Sequence, residues 1–390
     1  MCAWHGVLCN DLGQPTGISL PGNNLTGQLP DSVVRIPVLE VLDLKDNHIE
    51  SLPAGLSAAT RLARLDLRSN GLSGALPDFC DQAGHENITI AYALSQLDLS
   101  NNSVTGSIPV SLSSCQSLSA VDLSHNQLSG TLDTGLGRLC LLSGLDVSRN
   151  ALQGFADLSD GTAPLACPVS GEIPGDATFP AAVSIDLSHN QLSGTFPREG
   201  DLPLLDRAGQ LQFLDLSNNS FTGDLPFLAP PDRESSRLRI ASLGANQFSG
   251  SINATGPFPA DSSLQTLDLR GNLLEGSGGG WATPASLQLL LLDGNPLQGS
   301  LSTFLLAANI TATNDRVSQQ TRPQFAMTLE TTSDGGWDCP LPRPADYPAW
   351  KDWQAVFCAS YRQDSGCTFE CVQGHEDEKL VAGCPGLLPR

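Results

Sequence analysis

Apolar residues recur along the chain in one fixed order with an asparagine, L-x-L-x-x-N-x-L. Allowing apolar substitutions, the phrase appears eleven times, at Asn23, Asn47, Asn70, Asn102, Asn126, Asn150, Asn190, Asn219, Asn246, Asn272 and Asn295. Successive spacings are 24, 23, 32, 24, 24, 40, 29, 27, 26 and 23 residues, and the ten residues Asp122 to Thr131 return unchanged at Asp186 to Thr195. Such a period means one small structural unit per copy, stacked on its neighbours as a solenoid. Each copy offers a short extended segment, such as Leu42-Asp43-Leu44 or Leu214-Asp215-Leu216. Side chains alternate across it, so the two leucines point inward and the residue between them outward. A further apolar residue stands three positions before the first leucine in most copies, among them Leu39, Leu62, Leu118 and Leu142. One copy cannot bury these alone, so stacked copies share a continuous core. The asparagine falls where the chain turns off the strand. Its amide donates and accepts, which suits it to backbone groups that would otherwise be buried unpaired.

A second signature follows each asparagine, as in Leu25-Thr-Gly-Gln-Leu-Pro30, Leu72-Ser-Gly-Ala-Leu-Pro77, Val104-Thr-Gly-Ser-Ile-Pro109 and Phe221-Thr-Gly-Asp-Leu-Pro226. Glycine admits a backbone conformation closed to other residues, and proline ends the segment by removing a donor. Together the two signatures resemble the plant-type leucine-rich repeat, L-x-x-L-x-L-S-x-N-x-L-S-G-x-I-P, over residues 15–312. That class occurs in plant receptor-like kinases, receptor-like proteins and polygalacturonase-inhibiting proteins. The resemblance implies a leucine-rich-repeat solenoid, a right-handed β/α horseshoe arc of about eleven coils. Its concave side would be a parallel β-sheet, with a short second strand and 3₁₀ turns on the convex side. Residues 1–14 contain Cys2-Ala-Trp4-His-Gly6-Val7-Leu-Cys9, similar to the N-terminal cap of these ectodomains, in which the two cysteines form a disulfide. Caps of that family carry further residues and a signal peptide ahead of this point, so the sequence is expected to be truncated before Met1. Residues 313–390 lose the register and hold five cysteines and three of the five tryptophans, which fits a C-terminal Cys/Trp-rich cap or the start of a Cys-rich module.

The longer spacings locate insertions, about eight residues near 78–90 and sixteen near 155–178; the second, with the half-repeat phrase Ser170 to Pro174, reads as a surface loop or a degenerate coil, the loop being favoured. Cys115 occupies the register that Leu139 holds one coil later, which predicts a buried free thiol filling a core position. Cys80 and Cys167 would pair only if the two insertions met, and Cys140 has no assigned role. Tyr347, Trp350, Trp353, Phe357 and Tyr361 are expected to pack as the small core of the C-terminal cap.

Charge narrows the partners. Asp and Glu number 41 against 20 Lys and Arg, a net charge of −21, which disfavours nucleic acid and anionic lipid and favours a basic or neutral partner. No run of 18 apolar residues exists to insert in a membrane. Catalytic constellations are missing: His375-Glu376-Asp377-Glu378 lacks the second histidine of H-E-x-x-H, and Gly276 to Gly280 has neither the flanking elements nor the lysine of a phosphate loop. Cys367-x₃-Cys371 has no second ligand pair at zinc spacing, so no metal and no cofactor are expected. Six N-x-[ST] sequons, at Asn24, Asn87, Asn101, Asn218, Asn253 and Asn309, are candidate glycosylation sites.

The recurring open-face feature is a column of carboxylates, Asp43, Asp66, Asp98, Asp122, Asp146, Asp186, Asp215 and Asp268, each between two core apolar residues. Neighbouring strands lie about 4.8 Å apart, so like charges should repel and raise some pKa values. Two readings compete: an acidic ligand-binding face, or a family consensus in which each Asp is hydrated or bonded to hydroxyls such as Ser124 and Ser188. The column breaks at Ser242 and Leu291. These features describe a non-enzymatic, extracellular or cell-surface recognition module, resembling a receptor ectodomain, for a protein or peptide ligand, with a co-receptor as a further partner. An inhibitor of cell-wall-degrading enzymes and an intracellular scaffold are the alternatives.

Overall fold

The computed structural model describes residues 2–80, 92–156, 181–195, 210–225, 237–251, 262–276 and most of 286–300, together with short strands at 326–328, 337–338, 368–371 and 380–383. Asn87, Asn253, Asn309, Cys167, most of both insertions and the aromatic cluster 347–361 lie outside the described residues. The chain divides into two compact units, residues 1–194 with 199–219, and residues 195–198 with 220–390.

In the first unit the L-x-L segments become the strands Val41–Asp43, Arg64–Asp66, Gln96–Asp98, Ala120–Asp122, Gly144–Asp146, Ser184–Asp186 and Phe213–Asp215. They are parallel and in strict register, Leu42 beside Leu65, Leu97, Val121, Leu145, Ile185 and Leu214 in turn. Pro15–Ser19 precedes them in parallel, and Val7–Cys9 closes the edge in antiparallel pairing. Period-two alternation sends one set of side chains into the core, where Leu42, Leu65, Leu67, Leu97, Leu99 and Leu118 are fully buried. Each such burial contributes about 1.5–3 kcal/mol, so the stacked column of apolar residues is the main stabilising term. Cys2 and Cys9 are bridged at the start of the unit.

The second signature forms a second layer. Ser73–Ala75, Ser103–Gly106, Gln127–Asp133 and Ala151–Ala156 pair side by side in parallel, and Thr26–Gln28 pairs with His48–Ser51. Pro30 and Pro109 then stand immediately before a single α-turn, Asp31–Val34, and a 3₁₀ turn, Val110–Ser114. Proline ends the strand and presets the backbone for the turn that follows. One coil uses Asp133 instead, whose carboxylate accepts the Gly135 N–H at 2.9 Å ahead of the 3₁₀ turn Thr134–Arg138.

From Asn47 to Asn219 the ladder asparagines of this unit work alike, whereas Asn23 is exposed and donates to the Pro21 carbonyl. Asn126 Nδ2 donates to the carbonyls of Leu99, Leu123 and Ser124 at 2.9–3.1 Å, and its Oδ1 accepts the Val104 N–H at 3.0 Å. Two donor hydrogens thus serve three carbonyls, one in the preceding coil and two in its own turn. The residue before each ladder asparagine takes the left-handed region: Asp46, Ser69, Asn101, His125, Arg149, His189 and Asn218 all have φ between 53° and 58°. That conformation costs a side-chain-bearing residue roughly 1 kcal/mol, and bonds to the next coil hold it, such as His125 N–H to Ser148 O at 3.0 Å.

Cys115 corrects the sequence-based expectation. It is fully buried in its core position, but it is bridged to Cys80 and is not a free thiol. The insertion starting near residue 78 brings Cys80 against the 3₁₀ turn that Cys115 ends. There Ser111 Oγ donates to Asp78 Oδ1 at 2.8 Å and accepts the Phe79 N–H at 3.3 Å. Cys140 is disulfide-bonded as well.

The second unit repeats the scheme. Ile240–Ser242, Thr266–Asp268, Leu289–Leu291 and Ala326–Thr328 form parallel strands in register, the last beyond the point where the repeat phrase stops. Ser220–Gly223, Gln247–Ser251 and Leu273–Glu275 form the side layer, where Phe221 and Phe248 stack with centroids 6.2 Å apart. Asn272 donates to Leu243, Leu269 and Arg270 carbonyls and accepts the Phe248 N–H; Asn246 and Asn295 act similarly. Thr368–Cys371 and Leu380–Gly383 pair antiparallel.

Candidate functional site

The register that buries the leucines also aligns what they leave outside. In the first unit Asp43, Asp66, Asp98, Asp122, Asp146, Asp186 and Asp215 are consecutive partners across seven strands, and in the second Ser242, Asp268 and Leu291 hold the same row. Each carboxylate has a local task. Asp122 Oδ1 accepts the Ser124 N–H at 3.0 Å and the Ser124 hydroxyl at 2.6 Å. Asp146, Asp186 and Asp215 accept the N–H two residues on at 2.8–2.9 Å. The consensus Asp therefore caps the turn off its strand with one oxygen; Asp66 is buried and the other carboxylates of the row are half-buried.

The column is not uniform. Residues two before and two after each Asp point to the same side of the strand, and their identities divide the row. Lys45 lies 3.8 Å from Asp43, Arg64 and Arg68 lie 3.3 and 3.9 Å from Asp66, and Arg68 reaches Asp98 at 3.5 Å. In the second unit Arg270 grips Asp268 at 2.6 Å. Around Asp122, Asp146, Asp186 and Asp215 the flanking residues are Ala120 and Ser124, Gly144 and Ser148, Ser184 and Ser188, and Phe213 and Ser217. Among the described residues none of these four carboxylates has a salt-bridge partner. The small side chains leave an open trough of about 490 Å³, floored by Ala120, Gly144 and Ser184 and bounded by Arg64, Arg68 and Phe213. Sequence reasoning on the aspartates alone missed the arginines and the small floor, although both were readable from period-two spacing around each Asp.

Burial raises the pKa of Asp66, and the neighbouring Asp98 raises it further, against the pull of Arg64 and Arg68. Burial is also the leading cause of the upward shifts at Asp146 and Asp186; bonds from Ser148 and Ser188 oppose it, and the next Asp in the row adds a smaller push. Repulsion along the column is thus secondary to desolvation. A carboxyl whose folded pKa lies above the ordinary 3.8 binds its proton more tightly folded than unfolded. Its stabilising contribution is complete below pH 3.8 and is lost as pH rises through the raised value. Asp146→Asn keeps the acceptor for Ser148 N–H and removes the buried charge. We expect its melting temperature to exceed the parent's by a few degrees at neutral pH, the difference closing below about pH 3.8. A scanning-calorimetry series over pH checks this.

Asn101 and Asn218, both sequon asparagines, are exposed at the left-handed turn position, and Asn24 is exposed beside Asn23. Asn101 Nδ2 donates to Ser69 Oγ at 3.1 Å, and Asn218 Nδ2 lies 3.3 Å from His189 Nε2. Among the described residues, no group of three or more His, Cys, Asp or Glu is placed to hold a metal ion, and no helix is long and apolar enough to cross a membrane.

Parallel stacked coils, the asparagine ladder and the second strand after L-[ST]-G define a leucine-rich-repeat solenoid. Residues 93–115, 117–139 and 210–229 match the family model described as Leucine Rich Repeat. The chain's repeats are thus similar to plant-type leucine-rich repeats, and the curated proteins it resembles include plant leucine-rich-repeat receptor kinases, of whose length it spans only a small part. It is 42% identical over 80 residues to Receptor-like protein kinase 7 of Arabidopsis thaliana, a match spanning 20% of this chain and 8% of that protein. Among solved structures it resembles the PEPR1–AtPEP1 complex, with TM-score 0.58 and 22% identity, covering 87% of this chain and 48% of that one. It also resembles a plant ice-binding protein, with TM-score 0.50 and 26% identity over 77% of this chain and 79% of that chain.

Proposed function

We propose that the chain is an extracellular, non-enzymatic recognition module that takes a protein or peptide ligand on the open face of its first long sheet. The observation that carries this reading is the trough over Ala120, Gly144 and Ser184, where the repeat leaves the sheet uncovered and its charge without salt-bridge partners among the described residues. A solvated consensus face would show equal neutralisation along the row, and among the described residues of the first unit the row is neutralised only where Lys45, Arg64 and Arg68 stand. Bridged Cys2, Cys9, Cys80 and Cys115, with bonded Cys140, suit an oxidising compartment and weigh against an intracellular scaffold.

The test is a steric block. Gly144 has nothing within 4 Å of where a side chain would start, so Gly144→Arg fills the trough without disturbing the core. In biolayer interferometry against peptides selected on the native chain from a display library, this variant is expected to lose binding at least tenfold. Arginine at Val110, exposed on the 3₁₀ turn, is expected to leave it unchanged. Equal binding by both variants would remove the open face from the account.

A second reading rests on the likeness to a plant ice-binding protein over most of both chains. The side layer of the first unit carries Ser73 beside Ser103 and Thr105 between Ala75 and Gln127, with Ser129 and Thr131 further along the next strand. Under that reading Gly144→Arg has no effect on inhibition of ice recrystallisation, whereas Thr105→Lys abolishes it.

A further inference from the structure

We infer that the trough selects an extended segment carrying lysine or arginine at alternate positions, three within five residues. This rests on the open-face reading and specifies its ligand. Asp122, Asp146, Asp186 and Asp215 sit on four adjacent strands in register. Three intervals of about 4.8 Å give a line of charge about 14 Å long. An extended chain laid across the strands puts same-side side chains about 6.7 Å apart, so residues i, i+2 and i+4 span about 13 Å. Charge complementarity and length then coincide.

The ends of the trough fix the register of the segment. Arg64 and Arg68, already gripping Asp66 and Asp98, repel a further cation on one side. Phe213 on the other offers an apolar surface for the methylene stem of a lysine or arginine next to Asp215. The remaining charges near this row, His125 and Arg149, act on Asp146 and Asp186 only through space, without a salt bridge.

The experiment uses two synthetic probes of equal charge on the native chain, acetyl-Lys-Ala-Lys-Ala-Lys-amide and acetyl-Lys-Lys-Lys-Ala-Ala-amide, by calorimetry at low salt, alongside sequencing of the display-selected pool. Partly exposed ion pairs are each worth about 0.2–1 kcal/mol, so matching three rather than two is expected to favour the alternating probe about three- to fivefold. The selected pool is expected to show the same alternation, and Asp146→Asn with Asp186→Asn to weaken the alternating probe about tenfold. Equal affinity of the two probes, or no effect of the double variant, overturns the inference. A selected pool without basic residues, still blocked by Gly144→Arg, overturns it while the open-face reading stands. A pool that Gly144→Arg does not block ends both.

Discussion

Asn126→Ala is expected to lower the free energy of unfolding by about 3–4 kcal/mol, the largest loss of any single polar substitution in the first unit. The side chain serves three carbonyls and one N–H, all at 2.9–3.1 Å. Alanine leaves these groups inside a stacked turn where water does not replace the amide. Asn126→Asp separates the cause from simple loss of volume. It keeps an acceptor for Val104 N–H and presents a carboxylate to the carbonyls of Leu99, Leu123 and Ser124, so its loss is expected to be at least as large. Urea unfolding followed by far-ultraviolet circular dichroism measures both. A loss below about 1 kcal/mol for either variant would mean the backbone turn stands without the ladder.

Removing the Cys80–Cys115 bridge is the second large effect. The bridge closes a separation of 35 residues, and loop-closure entropy for a chain of that length is about 3–4 kcal/mol. Both cysteines are fully buried, so the paired substitution Cys80→Ala with Cys115→Ala avoids leaving a reactive thiol in the core. We expect the double variant to unfold at markedly lower urea with the Cys2–Cys9 bridge intact. Adding a reductant should bring the parent toward the variant. Superimposable unfolding curves would assign the bridge no stabilising role.

The repeat phrase carried the fold because each of its letters has one physical task. Leu42, Asp43, Leu44 and Asn47 are core, turn cap, core and ladder, and no other arrangement buries the leucines while satisfying the turn. Tasks shared between coils were less visible. Cys115 read as one more core residue because its partner sits in an insertion that breaks the period. Arg64 and Arg68 were hidden for a different reason: the column of aspartates draws the eye along the repeat, whereas the two arginines flank Asp66 on its own strand and Arg68 reaches from there to Asp98. The trough floor is equally specific to this chain, since Ala120, Gly144 and Ser184 occupy a position the consensus leaves open. The strand Ala326–Thr328 joins the long sheet of the second unit without a ladder asparagine, so nothing in the phrase announced it.

The most direct measurement is carbodiimide footprinting of the native chain, with and without the selected peptide, read by mass spectrometry at each aspartate. Protection concentrated at Asp122, Asp146, Asp186 and Asp215, with Asp31 and Asp224 unchanged, is the predicted result. Labelling of the four that is indifferent to the peptide, with protection appearing elsewhere, would contradict recognition on the open face.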